Sequence, residues 1–108
     1  MADAFKTYRD DALGTLDAIG VAEAISTGKI SAEEARDAAM ERSAQARAPL
    51  NAVASLADSP AIGTGVFGGV PTFVKDNEDV VGLPTSHGSR ATSRTPKTAP
   101  SAFVSHFE

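Results

Sequence analysis

The sequence has no cysteine, no tryptophan and a single tyrosine, Tyr8, in 108 residues. Without cysteine it can form no disulfide, offer no thiolate nucleophile and build no cysteine-based zinc site. Cations are few and scattered singly: ten Lys and Arg stand against 14 Asp and Glu, for a net charge of −4. No basic patch results, which argues against a nucleic-acid footprint. No run of about 18 apolar residues occurs, so no membrane-spanning helix is predicted. The opening MADAFKTYRDDALG carries acids where a secretory signal needs a basic and then an apolar segment, which predicts a cytoplasmic chain. Large apolar side chains are scarce as well. Alanine supplies 20 of the apolar residues, and Leu, Ile, Val and Phe together number 22. A buried Leu-sized side chain contributes about 1.5–3 kcal/mol and an alanine far less, so the predicted core is thin. A chain of this kind is expected to pack against further protein.

What is present begins with two helices. Asp17 is placed to cap the first, and Gly28 suits the left-handed turn that ends it. Ser31 and Glu34 have the spacing of a capping box, so the second helix is predicted from about Ala32 to about Arg47, stopping before Pro49. Its buried stripe would be Ala35, Ala38, Ala39, the Arg42 stem and Ala46. LNAVASL, Leu50 to Leu56, alternates enough for a strand, and VPTFVKD, Val70 to Asp76, reads as a second short strand. ADSPAIGTGVFGG between them is loop by composition, and LPTSHGSRATSRTPKTAP is a polar surface segment. Ser101 is placed to cap a last helix, AFVSHFE, whose Phe103, Val104 and Phe107 would share one apolar face.

Several patterns suggest chemistry. Gly63 to Gly68, GTGVFG, fits the dinucleotide fingerprint letter for letter but lacks the preceding strand and following helix that the phosphate site requires, so a loop is expected. His87 and His106 are far apart with no pattern of ligands around them, and solvent-exposed histidines are expected. Asp76, Glu78 and Asp79 lack the glycine and distal glutamate positions of a calcium loop, so a solvated turn is the better account. Lys75 remains, closing an apolar run just before those acids. At a buried strand end a lysine loses hydration, which favours the neutral amine that can act as a base, while a carboxylate beside it favours the charged form.

The same stretch resembles the amidase signature family, serine hydrolases that cleave amide carbon–nitrogen bonds. Members typically show glycine, valine or isoleucine and proline, two variable residues, another valine or isoleucine, and then Lys-Asp-Asn. A short acidic or apolar stretch follows, and after it Gly, Leu or Ile, Pro-Thr, two variable residues and Gly-Ser. This chain gives Gly69-Val70-Pro71, Val74-Lys75-Asp76-Asn77, Gly82-Leu83-Pro84-Thr85 and Gly88-Ser89 in that order. Upstream, the helix, the GKISAEE turn, the second helix and PLNAV are similar to the family's N-terminal region, so the resemblance runs from about Leu16 to Glu108.

The resemblance implies an α/β fold, with helices packed on both faces of a mixed β-sheet and only its N-terminal part in this chain. It implies a Ser–cis-Ser–Lys triad with Lys75 as base, a small-molecule amide substrate, and no metal or cofactor. Asp76 and Asn77 are expected to shape the turn around the lysine. The family's two serines belong to a glycine- and serine-rich segment that Ser86, Ser89, Ser93, Ser101 and Ser105 do not match, so neither role is carried onto them. The acid often found before the last helix is replaced by Pro100-Ser101. Residues 1–108 are accordingly expected to be an N-terminal fragment of a single amidase domain. It would be helical over 17–47, hold the strand, loop and lysine motif over 50–89, and end in a surface segment and truncated helix over 90–108. Such a fragment is expected to be inactive alone. Alternatives are a non-catalytic binding or complementing piece, and part of the glutaminase-like subunit of a tRNA amidotransferase.

Overall fold

The computed structural model describes residue 6, residues 9–57 and residues 62–108. They fall into two compact units, one holding residues up to Val53 together with Ile62–Pro71, the other holding the rest.

The first unit is helical. Helix α1 spans Ala18–Ser26 and α2 spans Ala32–Leu50. The Asp17 carboxylate accepts the Gly20 N–H at 2.8 Å, satisfying one of the orphan amides of the first turn. At the other end, Gly28 adopts φ +75°, and the Gly28 and Lys29 amides reach back to the carbonyls of Ile25 (3.1 Å) and Ala24 (2.8 Å). That pair of bonds is a Schellman motif, and it needs the left-handed residue that glycine supplies at little cost. The capping box forms as its spacing predicts: Ser31 Oγ accepts the Glu34 N–H at 3.0 Å, and Glu34 Oε2 accepts the Ser31 N–H at 2.7 Å.

Helix α2 runs past its predicted stop. Pro49 lies inside its last turn, and Asn51 closes the helix with φ 48° while donating its N–H to Arg47 O at 2.9 Å. A proline so near the end removes one hydrogen bond and leaves few residues beyond it to disturb. Asparagine is among the side chains that tolerate the left-handed conformation.

The buried side chains of this unit are small: Val21, Ala24, Ala35, Ala38 and Ser43. Ser43 returns its hydroxyl to Ala39 O at 2.8 Å, so its burial leaves no donor unmet. Ala39, Arg42 and Ala46, expected in the stripe, are half-buried. The Arg42 head reaches the segment before α1, where its Nε and Nη2 donate to the two Asp11 oxygens at 2.8 and 2.6 Å and Nη2 also reaches Gly14 O at 2.8 Å. Gly69, at φ +83°, lies so close to the α1–α2 junction that a Cβ there would stand 2.7 Å from Ala32 Cβ.

Within Gly63 to Gly68, residues 65–68 form a turn closed by the Gly68 N–H on Gly65 O at 2.8 Å. No helix follows it, and most of ADSPAI before it lies outside the described residues.

Beyond the helices, three expectations are corrected. Neither Leu50–Leu56 nor Val70–Asp76 is a strand: Leu50 ends α2, and the described residues pair only through one isolated parallel bridge between Val81 and Lys97. A strand exists only as a hydrogen-bonded partner of another, whatever its propensity. Phe73, 77% exposed, has no ladder beside it. The mixed sheet implied by the resemblance is therefore not formed among the described residues. The last helix is reduced to a single 3₁₀ turn, Val104–His106. Ser101 Oγ accepts the Val104 N–H at 3.2 Å, but the N-cap of this turn is Phe103, which makes no side-chain cap bond, so the expected cap is not formed. Of its three apolar residues only Val104 is buried, while Phe103 and Phe107 are exposed with ring centroids 5.1 Å apart. A segment this short has too few propagating bonds to offset helix nucleation.

Candidate active site

Lys75 closes the apolar run at a turn. Its carbonyl accepts the Asn77 N–H at 2.8 Å and the Glu78 N–H at 3.1 Å, reversing the chain immediately after the lysine. The residue is exposed and ends no strand. Its amine makes no hydrogen bond or ion pair with the described residues, although three acids follow within four positions.

Each acid is engaged elsewhere. Asp76 accepts the Ser86 N–H at 2.9 Å through Oδ1 and the Ser86 hydroxyl through Oδ2, and its carbonyl accepts the His87 N–H at 2.9 Å. The Ser86 hydroxyl bond, then the Ser86 amide bond, hold its carboxyl below the usual carboxylate range against slight desolvation, with Gly88 and His87 adding to the effect. Glu78 Oε2 accepts the Ser101 hydroxyl at 2.5 Å. Asp79 Oδ1 accepts the Thr85 hydroxyl at 2.7 Å and stands 3.7 Å from Lys97 Nζ. Thr85 is buried, so the Asp79 bond satisfies a hydroxyl that water cannot reach.

Further backbone bonds tie the glycine-proline motif and Asp79 to the segment that follows them. Gly82 at φ +83° donates to Lys97 O at 2.9 Å, Lys97 N–H reaches Leu83 O at 3.0 Å, and Ser101 N–H reaches Asp79 O at 3.0 Å. His87 takes φ 51° at the tip of the return turn, with Gly88 beside it at φ +71°. Both histidines are exposed, and His106 Nδ1 lies 2.6 Å from Ala102 O. Among the described residues no three His, Asp or Glu side chains are arranged to hold a metal ion, and no helix is long and apolar enough to cross a membrane.

The serines of this unit are also committed to local bonds. Ser86 and Ser101 serve acids, Ser93 donates to Thr95, Ser105 to Ala102 O, and Ser89 Oγ accepts the Ala91 N–H. None is hydrogen bonded to Lys75. The sequence singled out Lys75 and gave Asp76 and Asn77 to the turn. It did not single out Ser86 or Ser101 as partners of the acids, and Ser86 falls on a variable position of the second motif.

The family model described as Amidase matches residues 21–108. Over 92 residues the chain is 46% identical to proteins named "Putative amidase AmiC" in Mycobacterium bovis and Mycobacterium tuberculosis, covering 78% of this chain and 20% of theirs. The Mycobacterium leprae protein of the same name is 43% identical over 90 residues, 78% of this chain and 19% of its own. The chain thus spans about a fifth of the length of these relatives. No solved structure matches it. With most of its length under the family model and its lysine motif in family order, the chain belongs to the amidase signature family.

Proposed function

We propose that this chain supplies the lysine base of an amide hydrolase acting on a small or linear amide through a Ser–cis-Ser–Lys triad. The observation that carries the proposal is the ordered motif from Gly69 to Ser89 with the Lys75 amine clear of every neighbouring acid. In this mechanism the nucleophilic serine attacks the amide carbonyl, and its proton passes through the second serine to the amine of Lys75. The carbon–nitrogen bond then breaks, the departing amine takes up that proton, and an acyl-enzyme ester remains. Water attacks the ester with Lys75 again receiving the proton, which restores the serine and releases the acid. The two serines would come from sequence beyond these motifs, in a polypeptide of the relatives' length, and the same polypeptide would complete the mixed sheet.

The 108 residues alone are expected to hydrolyse nothing, because no serine here matches the family's glycine- and serine-rich segment and a base without a nucleophile has nothing to activate. A non-catalytic, complementing role for the isolated chain is the second reading, favoured by its small buried side chains. The test is release of ammonia or amine from simple aliphatic and aromatic amides. A polypeptide of the relatives' length is expected to release it and the 108 residues are not. Absence of release from the longer polypeptide, folded and assayed across a panel of amides, would overturn the assignment.

A further inference from the structure

We infer that Asp76 is a positioning residue for Lys75, clamped by Ser86 so that the turn presenting the lysine is fixed and the neighbouring acid is held off the amine. The inference rests on the reading of Lys75 as base. Three bonds join residue 76 to residues 86 and 87: both carboxylate oxygens accept from Ser86, and the carbonyl accepts from His87. On the other side the Lys75 carbonyl takes the amides of Asn77 and Glu78. The residue adjoining the lysine is therefore held through main chain and side chain at once.

The neighbouring acids are treated alike. Glu78 is met by the Ser101 hydroxyl and Asp79 by the Thr85 hydroxyl, with Lys97 as the nearby cation. A long lysine beside three carboxylates would ordinarily fold back onto one of them, which draws its amine away from the position where it must act. Here neutral hydroxyls occupy the carboxylates first. The acids that looked like a solvated turn are thus both the fastening of the turn and the means of keeping the amine clear. Displacing a reacting group by about 1 Å costs on the order of 100-fold in rate, so the fastening has a kinetic consequence.

The test compares Asp76→Ala, Asp76→Asn and Ser86→Ala in the polypeptide of the relatives' length, assayed on a simple amide. Asparagine keeps the size of the side chain and can exchange hydrogen bonds with both Ser86 groups without the charge. Asp76→Ala is expected to lower kcat about 100-fold with KM within about threefold, and Asp76→Asn to return kcat to within about fivefold of wild type. Ser86→Ala, which removes one of the two carboxylate bonds, should fall between. Asparagine as slow as alanine would show that charge rather than fastening matters, and a loss carried by KM would show a binding role; either overturns the inference. Amide hydrogen exchange at Ser86 and His87 supplies an arm that needs no turnover. Protection kept in Asp76→Asn and lost by at least about tenfold in Asp76→Ala upholds the clamp, and equal protection in both overturns it. If the wild-type protein hydrolyses no amide, the reading of Lys75 as base fails, and the exchange arm alone decides the clamp.

Discussion

Breaking the Asp11–Arg42 pair should weaken the helical unit by an amount that disappears in acid. Arg42 meets Asp11 with two donors, at 2.8 and 2.6 Å, while Asp11 also accepts the Leu13 and Gly14 amides at 3.0 Å each. The Arg42 hydrogen bond is the main cause that lowers the Asp11 carboxyl to about 2; burial opposes it, and the two amides and the Arg42 charge assist. A carboxyl that ionises at about 2 when folded and near 3.9 when unfolded is worth roughly 2.5 kcal/mol at neutral pH. The two side chains keep 22% and 23% of their exposure. Solvent screening then brings the pair to about 1–1.5 kcal/mol, above an ordinary surface ion pair because the contact is bidentate.

The folded carboxyl is the more acidic one, so this stability is fully present above the unfolded value. It falls away as pH drops from about 4 through about 2, where the unfolded chain binds the proton first. A double-mutant cycle with Asp11→Asn and Arg42→Met, read by urea unfolding of helical circular dichroism, isolates the pair from the other bonds of Arg42. The expected coupling is about 1–1.5 kcal/mol at pH 7 and near zero at pH 2. Coupling under about 0.3 kcal/mol at pH 7, or coupling unchanged in acid, would refute the reasoning.

Two further outcomes follow from the same unit. Ser31→Ala removes one half of the capping box and should cost about 1 kcal/mol, visible as reduced α2 helicity and a lower unfolding midpoint; an unchanged midpoint would mean the box contributes nothing. Gly69→Ala must place a Cβ 2.7 Å from Ala32 Cβ at φ +83°. It should destabilise by about 1–3 kcal/mol, whereas Gly28→Ala at φ +75°, with open space around it, should cost about 1 kcal/mol from backbone strain alone. Equal losses at the two glycines would contradict the close approach of Gly69 to the helix junction.

The helix starts were legible because caps are local. Asp17, the Ser31–Glu34 pair and Gly28 each act within a few residues of themselves, and the structure uses all of them as their spacing suggests. The end of α2 was misread because a proline usually stops a helix, yet in the last turn it removes a single bond and Asn51 supplies the left-handed exit. Strands were illegible for the opposite reason: Phe73 and Val74 carry the propensity, but pairing depends on a neighbour that no local pattern reveals. The site divides the same way. Lys75 stood out through the order of its motif, while the Ser86, Thr85 and Ser101 hydroxyls that hold its neighbouring acids lie six to 23 residues from them and leave no local signature.

The central claim is that Lys75 is a base, and replacing it is the most direct test. Lys75→Ala, made in a polypeptide of the relatives' length and assayed for amine release from an amide that the wild type hydrolyses, is expected to lose at least about 100-fold in kcat, the least that a positioned base contributes. The unfolding temperature of the variant, measured alongside, separates a loss of chemistry from a loss of fold. A folded Lys75→Ala protein that keeps more than about a few per cent of the wild-type rate would contradict the account, since a base worth only that much is doing no proton transfer.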